Sequence, residues 1–356
     1  MNIIIKTYIF NFCNIIFNIL GEFFMTKEKF GENGFVYTLE NKNGLKLKLA
    51  DVGASITGIF FKNKKGDSIE VAFGSDDVSF YSAKAKNGHM GATVGRVAGK
   101  TLNSSFKIGD KEYKLNPNKA PHHTHGGVDG LSYVFFTSKQ IADNKIEFHY
   151  LSKDGEEGYP GNLDLTVTYT LTENNEVIID YKATTDKPTP LNVMNHSYFN
   201  LNGKGKINSH KISIDANYYL PENENGDSSG EILKVDNTPY DFRNMKEIDT
   251  IIKSKGGCDN CFVFDDNDIK KSRVKVVSEE SLISLEVFTD MPSVLLYTAN
   301  SLNNLQVRGQ VLNKHEAFCL ETQYFTLALN YNHFPSIILY PDREFKHRTI
   351  YKFAAL

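Results

Sequence analysis

The chain has 356 residues, of which 40% are hydrophobic and 23% are charged, and its formal net charge is -3. This composition provides a large core and lacks the basic excess of a nucleic-acid-binding protein. Its 25 Phe and 18 Tyr residues, with no Trp, are interleaved with Thr, Val and Ile in short runs, which favours strands over helices. The length allows one or two domains, and we expect an all-β protein.

The first 24 residues differ from the rest of the chain. Residues 8–20 are apolar apart from three asparagines, and a charged run begins at Met25. A secretory signal needs a basic start, an unbroken apolar stretch and a small-residue cleavage site, whereas asparagines interrupt the apolar stretch here. The stretch is also short for a membrane span. Two interpretations stay open. Residues 1–25 are a leader that is not part of the mature protein, or they are a weak targeting segment.

From about Phe35 onward, short alternating runs are separated by turn residues roughly every ten positions, as in a β-sandwich or barrel. No repeat or long linker interrupts residues 26–356, so we predict one β domain over that range. The runs predicted as strands are 45–52, 145–151, 163–171, 176–183, 272–277 and 282–289. The predicted hairpin turns are Asn43-Gly44, Gly66-Asp67, Asn87-Gly88, Gly109-Asp110 and Asp154-Gly155.

The four cysteines, Cys13, Cys258, Cys261 and Cys319, are too few and too unevenly spread for a disulfide framework. Cys258 and Cys261 form a Cys-x-x-Cys pair. The second pair that a zinc site needs is missing, and so is the βαβ pattern of a redox fold. We therefore expect reduced thiols and no metal at this pair.

Four polar segments rich in histidine, arginine or carboxylate interrupt the strand pattern, and function concentrates in such loops. They are 91–102, 121–130, 195–201 and 319–325. His125 precedes two glycines, which would let a ligand approach the backbone closely; the alternative is a tight turn with a surface histidine. A metal cluster of His122, His123 and His125 is also conceivable, but no matching ligands stand out elsewhere, so we expect no metal.

His196 and Glu321 are the other two candidates for chemistry. His196 lies in a segment where polar and aromatic residues alternate, and Glu321 follows the apolar run Phe318-Cys319-Leu320. A carboxylate directly after such a run is either the exposed end of a strand or a partly desolvated base with a raised pKa. The local sequence leaves both interpretations open.

Taken in chain order, these segments resemble the aldose 1-epimerase (galactose mutarotase) family from about Phe35 to Phe353. The first part of the resemblance consists of Gly95-Arg96-Val97-Ala98, His125-Gly126-Gly127, residues 154–161 followed by Leu163, and residues 195–201. The second part consists of Tyr219-Leu220-Pro221, Gly230-Glu231, Asp241-Phe242-Arg243, Asp259, Tyr297-Thr298, Asn300, residues 318–323 and the tail from Phe334 to Phe353.

The resemblance implies a single large twisted antiparallel β-sandwich of the galactose mutarotase type. It implies an isomerase of hexose metabolism that interconverts the α and β anomers of free galactose and glucose without a cofactor. His196 would be the general acid and Glu321 the general base. The substrate-binding residues that it implies are Arg96, Lys100, His125 and Asp259.

The implied partner is a monosaccharide, and we expect no nucleic acid and no stable membrane association for residues 26–356. We expect a monomer, with a dimer as the alternative. The predicted location is the cytoplasm, unless the N-terminal segment is a true signal that makes the protein secreted or anchored.

Two departures from the family pattern affect the expected sugar contacts. Gly99-Lys100 stands where the family has Asn-Arg, and Met291-Pro292-Ser293 stands where it has Gln before Pro-Gly. Lys100 offers a compact ammonium in place of a planar fork, and Met291 is a poor hydrogen-bonding group. Neither change touches His196 or Glu321, so we expect catalysis to persist and sugar preference to differ.

Three alternatives have distinct requirements. A hexose-6-phosphate 1-epimerase needs a cluster of cations, and Arg96 and Lys100 are the only basic residues near the start of a site segment. A non-catalytic sugar-binding or regulatory module would lack His196 or Glu321, and both are present. A glycosidase needs paired carboxylates, whereas the matched site has one carboxylate and one histidine.

Overall fold

The computed structural model describes residues 23–82 and 87–356. The predicted leader therefore lies almost entirely outside the described residues. The first strand begins at Phe24 and pairs through Met25 with the strand that follows it. Within the described ranges, no helix combines the length and the apolar character needed to cross a membrane.

Strands dominate the described part of the chain. In the first half they are β1 (Phe24–Phe30), β2 (Gly34–Glu40), β3 (Lys46–Ala50), β4 (Ser55–Lys62), β5 (Ser68–Ala72), β6 (Thr93–Val94), β7 (Lys100–Thr101), β8 (Ser105–Ile108), β9 (Lys111–Lys114), β10 (His123–Thr124), β11 (Thr137–Ala142), β12 (Lys145–Ser152), β13 (Leu163–Leu171) and β14 (Glu176–Thr185).

The second half continues in the same way. Its strands are β15 (Thr189–Pro190), β16 (Met194–Asn195), β17 (Lys211–Ile214), β18 (Tyr218–Tyr219), β19 (Leu233–Lys234), β20 (Lys246–Glu247), β21 (Asp259–Val263), β22 (Val274–Ser278), β23 (Ile283–Thr289), β24 (Ser293–Tyr297), β25 (Leu305–Val307), β26 (Gln310–Leu312), β27 (Cys319–Gln323), β28 (Ile338–Leu339) and β29 (Phe345–Ala355). The helices that the structure describes are short: α1 (Val78–Ser82), α2 (Asp249–Lys255) and 3-10 turns at Leu102–Ser104, Leu131–Tyr133 and Glu156–Gly158.

Three antiparallel sheets form the body of the fold. The largest has nine strands in the order β11-β12-β13-β14-β29-β23-β22-β17-β20, and the two five-stranded sheets have the orders β1-β2-β3-β4-β5 and β19-β18-β21-β24-β27. One hydrophobic cluster includes side chains from all three sheets, such as Leu49, Val167 and Leu296. Because the sheets share this core, they pack face to face, and the predicted all-β antiparallel sandwich is confirmed.

The six predicted strands are all present, with ends displaced by at most two residues. β13 shows why the prediction succeeds: its apolar residues alternate with Thr and Asp, and the apolar positions are the buried ones. Of the predicted hairpin turns, Gly44, Gly66 and Gly109 join paired strands, each with a positive φ. Asn87-Gly88 instead leads into a turn before β6, and Asp154-Gly155 lies within the longer connection from β12 to β13.

Candidate active site

A cleft of about 270 Å³ opens over the five-stranded sheet that ends in β27. Its floor includes a row of residues opposite one another on three adjacent strands: Cys261 on β21, Leu295 on β24 and Glu321 on β27. Opposite residues on paired strands share a face, so strand pairing brings these side chains together. Asp259 lies two residues before Cys261 and lines the cleft as well, because side chains alternate along a strand.

His196 and Glu321 meet beside this floor. Nε2 of His196 lies 3.4 Å from Oε1 of Glu321, and both residues are buried, with 4% and 3% of their surface exposed. Among the described residues, Nδ1 of His196 has no hydrogen-bond partner. A buried N–H without an acceptor is rare and costly, so the hydrogen of the neutral ring belongs on Nε2, facing Glu321.

Burial shifts the pKa values of these two groups in opposite directions. It lowers the pKa of His196, and the neighbouring His89 adds to this effect. It raises the pKa of Glu321 well above the usual carboxyl range, with a further contribution from Asp259. Burial therefore favours the uncharged form of each group in the empty cleft, in which the pair holds one ionisable proton, on Glu321. Since Nε2 of His196 already carries a hydrogen, the ring ionises at Nδ1; a pair with the carboxyl deprotonated and the imidazole protonated has the same net charge and supplies one base and one acid.

His125 enters the cleft from a turn with three successive positive φ angles, 51° at His125, 84° at Gly126 and 103° at Gly127. A Cβ on Gly126 would overlap the carbonyl oxygen of Gly95, so only glycine fits there. The backbone N–H of Gly99 donates to Nδ1 of His125 at 3.3 Å. The neutral ring therefore carries its hydrogen on Nε2 and offers an N–H donor to a ligand.

Lys100 lines the cleft mouth and forms an ion pair with Asp227. Asp227 belongs to the acidic loop, residues 222–228, which forms one wall of the cleft. The loop is held as a tight turn, since Oδ1 of Asn223 accepts from the backbone N–H groups of Asn225 and Asp227. Lys100 is thus within reach of the cleft but already has a carboxylate partner.

Asp259 faces the same wall. The surrounding protein raises its pKa, and the nearby carboxylate of Glu222 adds to the rise, although the side chain stays open to solvent in the cleft. Glu222, Asp227 and Asp259 supply three carboxylates to the cleft wall, against the ammonium groups of Lys100 and Lys119. The wall therefore carries an excess of acidic groups.

Arg96 does not line the cleft, which corrects the sequence-based prediction. Its guanidinium group is buried, and Nε donates to Oγ of Ser152 at 2.9 Å. The two Nη atoms donate to the carbonyl oxygens of Ser152, Lys153 and Pro160 and to Oγ1 of Thr189. All five N–H donors of the guanidinium group are used in this way. Arg96 therefore stabilises the β12–β13 connection through hydrogen bonds and has no donor left for a sugar.

Other residues of interest also lie outside the cleft. Met291 is buried and is not among the cleft-lining residues, so the family departure there leaves the cleft wall unchanged. His122 accepts a hydrogen bond from the backbone N–H of Asn103, whereas His123 lies between the carbonyl oxygen of Asn116 and the hydroxyl of Tyr159. The histidines of this segment thus point to different partners.

Cys258, Cys261 and Cys319 are buried free cysteines, and Cys13 lies outside the described residues. In residues 23–82 and 87–356, no three His, Cys, Asp or Glu side chains are grouped as a metal ion would require.

Three features of the site have no counterpart among the predicted residues. They are His89, Lys119 and the acidic loop, residues 222–228. The loop lies between two segments that carry the family resemblance, and its three acidic residues beside an Asn-Gly turn were the available signal. His89 has no such local signal, because only the folded chain brings it to His125 and His196.

Comparison with known proteins gives a consistent result. Residues 36–352 match the sequence model of the family described as Aldose 1-epimerase. Galactose mutarotase of Homo sapiens is 37% identical over 316 residues, which cover 87% of this chain and 91% of that protein. Aldose 1-epimerase of Escherichia coli is 31% identical over 329 residues, which cover 89% and 94%. The crystal structure of a GalM/aldose epimerase homologue from C. elegans has a TM-score of 0.84 at 28% identity, over 94% of this chain and 99% of that one.

The antiparallel sandwich and its structural neighbours define the class as the mutarotase-like isomerases. The chain belongs to the aldose 1-epimerase family. The resemblance that the sequence motifs predicted is therefore confirmed, with the family match covering most of the chain.

Proposed function

We propose that this protein is an aldose 1-epimerase that interconverts the α and β anomers of free hexoses, galactose and glucose, using only its own side chains. One observation carries the proposal: the buried pair of His196 and Glu321, 3.4 Å apart, stands beside a cleft in a protein of this family. The pair holds one transferable proton, and anomer interconversion needs one acid and one base.

The chemistry is the opening and closing of a cyclic hemiacetal. Glu321, as carboxylate, takes the proton from the anomeric O1 while the C1–O5 bond breaks and C1=O1 forms. His196, as imidazolium, gives its proton to O5. Rotation about the C1–C2 bond presents the other face of the carbonyl group, and the same two groups then act in reverse to close the opposite anomer.

The electrostatics of the empty cleft support this pairing. Burial favours the uncharged forms of His196 and Glu321 when no ligand is present. A bound hexose brings hydroxyl groups that hydrogen-bond the charged forms, which favours the carboxylate of Glu321 and the imidazolium of His196 over the neutral pair. The charged pair is thus formed when a substrate is there to use it.

We assign sugar binding to Lys100, His125 and Asp259. His125 offers Nε2–H as a donor, and Asp259 offers carboxylate oxygens as acceptors, both in the cleft. Donors and acceptors in one cleft suit the hydroxyl groups of a monosaccharide, which both donate and accept. Arg96 supports the wall from behind and is not included.

The acidic wall argues against the phosphorylated alternative. A hexose 6-phosphate would enter a cleft lined by Glu222, Asp227 and Asp259. Lys100 and Lys119 supply ammonium groups there, and that of Lys100 is paired with Asp227. Like charges in an enclosed site repel strongly. A neutral hexose avoids this cost, so we propose free sugars as the substrates.

Polarimetry of freshly dissolved α-D-glucose and α-D-galactose tests the proposal. The full chain should accelerate the decay of optical rotation, without added metal or nucleotide. Glu321→Gln and His196→Asn should each lower kcat by roughly a hundred- to ten-thousand-fold, because each removes one proton-transfer group. His149→Asn, a change at a partly exposed histidine on β12, is the matched control and should keep the wild-type rate. Unaltered decay of rotation with the wild-type protein would refute the proposal.

A further inference from the structure

Three imidazole rings are packed together at the site, and the reaction described above uses only two of them. The ring centroid of His89 lies 4.9 Å from that of His125 and 6.2 Å from that of His196, and the last two are 5.4 Å apart. The rings of His89 and His196 are nearly parallel, with 22° between their planes. His89 is thus in ring contact with both the sugar-binding and the acid histidine.

The hydrogen bonds of His89 fix its tautomer. Oγ of Ser132 lies 3.0 Å from Nδ1 of His89 and also donates to the carbonyl oxygen of Thr93 at 3.3 Å. A hydroxyl group has one hydrogen, so Ser132 must accept from Nδ1–H of His89. Nε2 is then a bare acceptor in the neutral ring; the hydroxyl of Tyr133 lies 3.3 Å from Nδ1 and 3.5 Å from Nε2.

Backbone hydrogen bonds connect the turn of His89 to the segment that carries His196. His89 has a φ of 58°, and its carbonyl oxygen accepts from the N–H of Ala92. The carbonyl oxygen of Ala92 in turn accepts from the N–H of His196, at 3.0 Å, and the N–H of Gly91 donates to the carbonyl oxygen of His196, at 2.8 Å. These hydrogen bonds hold the turn with His89 against the backbone of His196.

These contacts have a consequence for catalysis. Nδ1 of His196 has no hydrogen-bond partner among the described residues, so the orientation of the ring depends on the contact of Nε2 with Glu321 and on the packing of neighbouring rings. Tyr198 covers one side, with ring centroids 5.1 Å apart and 13° between the planes, and His89 packs against the ring as well. A displacement of about 1 Å at a reacting group can cost a hundredfold in rate.

We propose that His89 is a positioning residue of this site: anchored on Ser132, its ring packs against His125 and His196 and fixes the orientation of both imidazoles. The proposal rests on the proposed epimerase function for its kinetic consequence. His89 itself contacts no reacting atom. Burial lowers its pKa to about 4, so the ring is neutral under working conditions and acts by shape.

Two variants separate the ring from its anchor. His89→Asn removes the ring, and asparagine tolerates the positive φ of this position better than most residues do. Ser132→Ala leaves all three rings and removes the acceptor of the Nδ1–H together with the hydrogen bond to the carbonyl oxygen of Thr93. We expect His89→Asn to lower kcat about tenfold or more, and Ser132→Ala to lower it less, with KM raised in both because His125 is also released. The double variant should lose less than the product of the two single losses, because both changes act through one ring.

Imidazole NMR provides a readout that does not depend on activity. Long-range proton–nitrogen spectra should show that His125 and His196 are each a single Nε2–H tautomer in the wild-type protein, and that both become mixtures in His89→Asn. The control His149→Asn should change neither signal. Unchanged His125 and His196 signals in a folded His89→Asn protein would overturn the proposal, as would wild-type kcat and KM in that variant. If the wild-type protein has no epimerase activity, the proposed function fails, and the NMR result still decides the role of His89.

Discussion

The ammonium group of Lys100 forms an ion pair with the carboxylate of Asp227 at the mouth of the cleft. Asp227 is buried, and its loop forms a wall of the cleft. Lys100 therefore links the acidic loop to the strand that leads to His125, since β7 pairs with β10. Steady-state kinetics can decide whether this lysine also binds the sugar.

We expect Lys100→Ala to raise KM roughly tenfold or more while kcat changes little, since a hydrogen bond to a charged group contributes about 1.5–3 kcal/mol. Lys100→Arg should keep or lower KM, because a guanidinium fork retains the charge and adds oriented donors. Steady-state polarimetry over a range of sugar concentrations measures both constants. Lys107→Ala, at an exposed position on β8, is the control. A wild-type KM in Lys100→Ala would mean that the ammonium group serves Asp227 alone.

Glu321 is predicted to reduce stability at neutral pH. Because its folded-state pKa is raised, the folded protein holds a proton that the unfolded chain releases above about pH 4.3. The contribution of this bound proton to the free energy of unfolding is fully present below that pH, and it is lost as the pH rises towards the folded-state pKa. Glu321→Gln removes this dependence on pH. The free energy of unfolding of the variant, relative to that of the wild-type protein, should therefore increase by roughly 1 kcal/mol per pH unit in that range.

Urea unfolding at several values between pH 5 and 8 measures this difference. Glu112→Gln, at an exposed position on β9, supplies the control and should follow the wild-type protein throughout. A Glu321→Gln protein that loses stability relative to the wild type as the pH rises would contradict the desolvated carboxyl inferred here.

The turn at Gly126 should tolerate no side chain. Gly126→Ala places a Cβ against the backbone of Gly95, and backbone atoms cannot rotate away as a side chain can. Gly66→Ala is a matched control, because Gly66 has nearly the same φ, 87° against 84°, and open space around its Cβ position. The control should lose only about 1 kcal/mol of unfolding free energy for the strained φ. We expect a clearly larger loss for Gly126→Ala, together with a raised KM because His125 is displaced.

Arg96 is predicted to act on stability and not on sugar binding. Arg96→Lys keeps the charge but loses most of the five donors, and hydrogen bonds from a charged group contribute about 1.5–3 kcal/mol each. We expect a fall in the free energy of unfolding of about 3 kcal/mol and a KM close to that of the wild type. Thermal unfolding and polarimetry on the same preparation check both parts. A large rise in KM at unchanged stability would place Arg96 back in the sugar site.

The local pattern was sufficient for much of the fold. β13 was predicted with its observed ends. One face of that strand is buried, so apolar and polar residues alternate along it, and this alternation is visible in the sequence. β4 was not predicted: its residues are buried almost without interruption, so no alternation marks it. The isolated Gly44 turn was predicted as a hairpin and is one, whereas Asn87-Gly88 was predicted as a hairpin and is not, because the residues beyond it pair with a distant segment.

The candidate site divides in the same way. Motif resemblance was sufficient to select His125, Asp259 and Glu321, which lie far apart in the chain and line one cleft. It also selected Arg96, whose neighbours in sequence match the family although its side chain points away from the cleft. Residue type and order are properties of the chain itself. The direction of a side chain after a strand ends depends on which distant carbonyl groups accept its hydrogen bonds, and only the tertiary structure brings those groups to Arg96, or His89 to the two working histidines.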